Sequence, residues 1–193
     1  MKKKIRNVAA YCVLIFGGSY VVYFSALTFS IVFADMDEII DHSVGEGYIL
    51  YPNWLAELYL FKLRCDEKDI ASSVDGWDIE RLIGRYENNP EKTMKYLSFF
   101  IEKGFDINTP DKFGETALHY AIEYNHPKLV TYLIGIGADN TTKTKFKRLN
   151  AKFEYEEYAE RDALEYAKYR SSWDKLDRGE IIRLLADRTE DVN

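Results

Sequence analysis

The side chains best suited to acid–base, nucleophilic or metal chemistry are three histidines, His42, His119 and His126, and two cysteines, Cys12 and Cys65. None sits in a pattern that chemistry requires. There is no HExxH helix, no phosphate-cradling glycine loop, no nucleophile elbow and no CxxC pair. Cys12 falls in an apolar N-terminal run, which leaves Cys65 without a partner for an internal disulfide. Asp75-Gly76-Trp77-Asp78 reads as a turn and a helix start. The residues therefore predict no catalytic set, no metal site and no cofactor, and the chain is not expected to be an enzyme. His42 and Cys65 receive no role.

The composition is that of a chain that folds. Hydrophobic residues make up 47% and aromatics 15% of 193 residues, enough to build a real core. The net charge of -6 is unevenly spread: the first 34 residues hold Lys2, Lys3, Lys4 and Arg6 and no acid. The rest holds 32 Asp and Glu against 22 Lys and Arg, a balance of about -10. Such a field disfavours nucleic acid and speeds encounter with a basic partner.

From Val8 to Ala34 there is no charged residue. A helix of that length would reach roughly 40 Å, more than a bilayer's hydrocarbon core. Two readings compete for residues 1–34. A signal anchor keeps residues 8–34 in the inner membrane; a signal peptide is cleaved after Val32-Phe33-Ala34. Both place the following chain outside the cytoplasm, because Lys2–Arg6 are basic and Asp35, Asp37, Glu38 and Asp41 follow the run. In a Gram-negative bacterium that compartment is the periplasm. Residues 35–73 form a preface in which Trp54–Cys65 reads as a helix of about three turns, expected to cap the elements that follow.

Helical pairs dominate the remainder. Asp111-Lys112-Phe113-Gly114 is a turn signal, and Thr116 can cap the helix after it. Leu118, Ala121 and Ile122 share one face of that helix, while Pro127 suits the first turn of a second. Leu129, Val130, Leu133 and Ile134 form its buried stripe, and Gly137 ends it. Gly104 and Asp106 precede Gly137 and Asp139 by 33 residues, with Tyr96, Leu97, Phe100 and Ile101 in register with the later stripe. The first repeat then has helices at about 78–86 and 90–103. Asp162-Ala163-Leu164-Glu165-Tyr166-Ala167 echoes Thr116-Ala117-Leu118-His119-Tyr120-Ala121 at an offset of 46, and Ile181, Ile182 and Leu185 echo Leu129, Val130 and Leu133 at 52. The third repeat thus carries two insertions: about 13 residues before its first helix, within 141–160, and about 6 between its helices.

This pattern resembles the ankyrin repeat. Asp111-x-x-Gly114-x-Thr116-Ala117-Leu118-His119-x-Ala121, then Asn125-His126, then Gly137-Ala138-Asp139 follow the family's run, with Ala117 for its Pro and Asn125 for its Gly. The resemblance spans residues 74–188, leaving 189–193 as a tail. It implies an all-α stack of helix-turn-helix repeats with an inserted finger loop, preceded by the N-terminal transmembrane or signal helix. It also implies structural roles for His119, bonded to Thr116, and for His126. Family members grip partner proteins with finger tips and first helices. By position, the partner-facing residues are Lys112, Phe113 and Glu115 on the finger, Glu123 and Tyr124 at a helix end, and Tyr169 and Arg170 in the third repeat. The insertion adds Lys145, Phe146, Phe153 and Tyr155, aromatics interleaved with charges. The expected function is protein binding in the periplasm, in its specific form an immunity protein that occludes a secreted toxin, such as a basic, lipase-like effector. An envelope scaffold or assembly factor, or a regulatory subunit of an envelope enzyme, are the alternatives.

Overall fold

The structure, a computed structural model, describes residues 36–44, 53–58, 60–61, 74, 76–145 and 160–190, together with Tyr23 and Ser25. Among these residues the secondary structure is helical, with no strand. The chain divides into two compact units, Met1–Leu63 and Arg64–Asn193. The division falls inside the segment expected as a single preface.

The first unit contains α1 (Met36–Val44) and α2 (Asn53–Leu58), which pack against each other. Ile39, Ile40, Val44, Ala56 and Leu60 are its buried apolar residues. Where a helix of about three turns was expected, the described helix is the six residues of α2, followed by Leu60 and Phe61 in a wider helical turn. No helix among the described residues is long and apolar enough to cross a membrane. Apart from Tyr23 and Ser25, both helical, the 8–34 segment lies outside them.

Among its described residues the second unit holds three helical pairs: α3 (Gly76–Gly84) with α4 (Pro90–Glu102), α5 (Ala117–Glu123) with α6 (Pro127–Gly135), and α7 (Ala163–Asp174) with α8 (Gly179–Glu190). The first helices pack side by side in the order α3, α5, α7, and α8 packs on α6. The apolar stripes read from the sequence form the core: Tyr96, Leu97 and Phe100 in the first pair, Leu129, Val130 and Leu133 in the second, Ile181 and Leu185 in the third. Burying each such side chain stabilises the stack by about 1.5–3 kcal/mol.

Helix ends are set by local chemistry. Pro90 and Pro127 open α4 and α6, where a missing N–H costs nothing. Asn89 caps α4 by accepting the Lys92 N–H at 3.3 Å. α4 and α6 end alike, one period apart. Phe105 N–H donates to the Phe100 carbonyl and Ala138 N–H to the Leu133 carbonyl, each at 2.9 Å. Gly104 (φ 94°) and Gly137 (φ 99°) turn the chain in a left-handed conformation that side chains disfavour. α3 begins and ends two residues earlier than expected, with Tyr86 in the turn after it.

The finger before α5 closes on itself. Asp111 N–H donates to the Glu115 carbonyl at 2.9 Å, and the Asp111 carboxylate accepts the Phe113 and Glu115 N–H groups, both at 2.8 Å. The next finger stands beside it, with Lys145 N–H donating to the Phe113 carbonyl at 3.1 Å. A Cβ on Gly114 (φ 73°) would lie 2.7 Å from the Lys145 nitrogen, so the approach requires glycine. Thr144 N–H donates to the Arg161 carbonyl at 3.0 Å, so the two feet of the insertion meet.

Candidate partner-binding surface

The fingers position the first group of candidates. Lys112 is exposed, and its ammonium lies 5.0 Å from the ring centroid of half-buried Phe113. Lys145 is exposed and joined to Phe113 through the backbone bond between fingers. Lys143 is also exposed. Adjacent tips thus bring three lysines and one aromatic ring to the finger side of the stack.

That local charge differs from the global one. Residues 35–73 hold nine Asp and Glu against three Lys and Arg, whereas residues 74–190 hold 22 against 19. The acidity belongs mainly to the segment ahead of the repeats, and exposed lysines stand on the finger tips.

A second group sits between the repeats. Glu115, expected to face a partner, is 9% exposed and accepts the Tyr166 hydroxyl at 2.8 Å. Arg170, also expected at the surface, is 8% exposed and pairs with Glu123 at 2.9 Å. Glu123 is half-buried and lies 3.2 Å from the same Tyr166 hydroxyl. Family position pointed these three outward, but the docking of α7 on α5 and its finger turns them into cross-links between neighbouring repeats. Burial, with the two carboxylates beside it, pushes the Tyr166 hydroxyl well above its ordinary pKa. Tyr169 is half-buried under the Arg161 guanidinium, 4.0 Å from its ring centroid. Tyr124 stays exposed at the end of α5, stacked on His126 at 6.0 Å with its hydroxyl 3.4 Å from Glu80. Phe146, Phe153 and Tyr155 lie outside the described residues.

His119 and His126 are both buried in the repeats. Thr116 N–H donates to His119 Nδ1 at 3.2 Å, so the proton resides on Nε2, which is buried near the Arg161 carbonyl but outside hydrogen-bonding geometry. Burial lowers the pKa of His119 to about 4, with the Arg161 carbonyl opposing the fall. His126 lies between Tyr86 and Tyr124, and burial lowers its pKa as well. Among the described residues no cluster of His, Cys, Asp and Glu could hold a metal ion.

Arg178 is the residue that pattern reading missed. It is fully buried. Its Nε donates to the Ile122 carbonyl at 2.8 Å and its Nη2 to the Glu123 carbonyl at 2.7 Å, closing the free end of α5 from the next repeat. Asp174 binds it through two bonds of 2.7 and 2.8 Å, and these hold the Asp174 carboxyl down at about 2. The signal was present: an offset of 52 sets Arg178 in register with His126.

The geometry is that of stacked helix-turn-helix repeats joined by finger loops, a class built to bind. Residues 85–134 match the family model described as ankyrin repeats (many copies). A protein of Acanthamoeba polyphaga mimivirus, named as an ankyrin repeat protein, is 42% identical over 46 residues, 24% of this chain and 6% of that protein. The chain thus spans a small fraction of the length of the curated relative it matches. Residues 85–134 are thus similar to ankyrin repeats, which indicate a protein-binding module.

Proposed function

We propose that this chain works by gripping a partner protein with its finger side, and that in its sharpest form it is an immunity protein displayed in the periplasm that occludes a secreted toxin. The observation that carries the reading is the finger row. Exposed Lys112 and Lys145 flank half-buried Phe113, with exposed Lys143 two residues before Lys145, on fingers locked by their own backbone bonds. Preformed tips lose little freedom on binding, and an aromatic ring among cations suits a central anchor with a charged rim. Lysine-lined tips favour carboxylates on the partner's contact surface, while the acidic 35–73 segment supplies the long-range attraction for an otherwise basic protein. The periplasmic and toxin-directed parts rest on the leader's charge pattern and on family analogy.

The test is affinity capture from membranes with the full chain, followed by titration of the purified partner. Phe113→Ala and the paired reversal Lys112→Glu with Lys145→Glu should each weaken binding by at least about tenfold. A partner held equally well by both variants would remove the fingers from the account. A captured toxin that loses its activity in the complex supports the immunity reading, and one that keeps full activity overturns it.

A further inference from the structure

His126 is a buried titratable side chain that the finger surface does not use. It stands at the start of α6, where its N–H donates to the Ala121 carbonyl and its carbonyl accepts the Val130 N–H, both at 2.9 Å. The backbone is pinned in both directions, so a movement at this residue is a movement of the ring. The ring is 5% exposed. Tyr86, in the turn after α3, lies 5.0 Å from it, and Tyr124, at the end of α5, lies 6.0 Å from it in a nearly parallel stack at 16°. The two ring nitrogens meet opposite surroundings. Nε2 is buried without a hydrogen-bond partner, and the Ile83 carbonyl near the ring is outside hydrogen-bonding geometry. Nδ1 lies 4.0 Å from the carboxylate of Glu87, which is 79% exposed. Other charged groups stand on the surrounding elements. Glu80 on α3 is 3.4 Å from the Tyr124 hydroxyl, Arg85 precedes Tyr86 in the turn, Lys128 on α6 is exposed, and Arg178 is bound to Asp174.

We propose that His126 is a proton-operated latch for Tyr124: on taking up a proton the imidazolium leaves its slot toward Glu87 and water, and the Tyr124 ring loses the surface on which it is stacked. The direction follows from the two nitrogens. A charged ring carries an N–H on each, and in the seated position the inner one has no acceptor and the charge has little water. Turned outward, the same ring is hydrated and gains the Glu87 carboxylate. Burial holds the pKa of the seated ring below 6.5, with Glu87 opposing the fall. Each pH unit below 6.5 therefore favours the outward ring by about a further tenfold, until the seated ring is itself protonated. Tyr124 is exposed and occupies a position that the family turns toward a partner, so the latch makes that contact sensitive to mild acid. This consequence rests on the protein-binding reading, whereas the latch itself goes beyond it.

The experiment is a nuclear magnetic resonance titration of the full chain in neutral detergent, with histidine and tyrosine rings labelled, from about pH 7.5 to about pH 5. Tyr124→Phe assigns the Tyr124 signals. The His126 ring should titrate with a midpoint below 6.5. The Overhauser contact between the His126 and Tyr124 rings, present at the upper end, should disappear along the same curve. In Glu87→Gln, a change at an exposed side chain, the midpoint should fall by up to about half a pH unit. A ring that takes up its proton and keeps its contact with Tyr124 would overturn the latch. So would a ring that stays neutral through the whole range. Equal midpoints in the native chain and Glu87→Gln would overturn the outward path. None of these results bears on the fingers, so the protein-binding reading stands or falls separately.

Discussion

Where the central repeat carries His119 and Ile122, both fully buried, the third repeat carries Glu165 and Lys168, both exposed. The two pairs occupy the same register, 46 residues apart. In the central repeat that face of the first helix meets the next repeat; in the third it is polar and wet. A repeat docked on α7 would have to bury a carboxylate and an ammonium, so this face closes the stack. A second contrast concerns the helix junction. The central repeat uses Asn125 at φ 58° and His126, whereas the third uses Lys175 at φ 64° and Arg178. Asparagine tolerates the left-handed turn; lysine does so at a cost. The central repeat is built for packing on both sides, while the third is built to hold on to its neighbour and to present a loop.

The largest expected effect comes from breaking that hold. Arg178→Ala leaves the Asp174 carboxylate and the Ile122 and Glu123 carbonyls without their guanidinium, and should cost about 3–5 kcal/mol in denaturant unfolding. Lysine should not restore it, because the bonds use three nitrogens of one planar fork. A loss below about 1 kcal/mol would mean that the third repeat docks by apolar packing alone.

Next in size is acid sensitivity at the central repeat. His119 is neutral in the fold, with a pKa of about 4 against 6.5 when exposed. Stability is then unaffected above about pH 6.5 and falls as pH drops toward about 4, as the unfolded chain takes up a proton that the folded chain refuses. The loss from this residue amounts to roughly 3 kcal/mol by pH 4. Midpoints measured across that range should slope down in the native chain and flatten in part in His119→Gln, with His126 contributing in the same direction. Equal slopes in both proteins would remove His119 as the source.

Smaller effects probe the two turns. Gly114→Ala must hold φ 73° and crowd the Lys145 nitrogen, and should cost about 1–2 kcal/mol or more. Lys175→Gly relieves a left-handed lysine and should gain about 1 kcal/mol, unless loss of its bond to Ser172 offsets the relief. A thermal scan of each variant checks the sign.

Much of the stack was legible because a period-33 pattern of turn residues, prolines and apolar stripes records packing directly. Gly137, Pro127 and the Leu129–Leu133 stripe each act through their own local conformation, and so they read correctly from sequence. The candidate surface was less legible. Glu115, Glu123 and Arg170 were assigned outward by family position, but their exposure depends on the tilt and length of the neighbouring α7, which no local pattern records. Arg178 escaped notice because arginine before a helix reads as a solvated charge, and only the carbonyls of α5 give it a buried role.

The most direct test of the account is the hydrogen-exchange footprint of the full chain with its captured partner. Amides of residues 111–115 and 143–145 should slow on binding, while the outer surfaces of α4 and α6 remain unchanged. A footprint confined to α4 and α6, or none at the fingers, would contradict it.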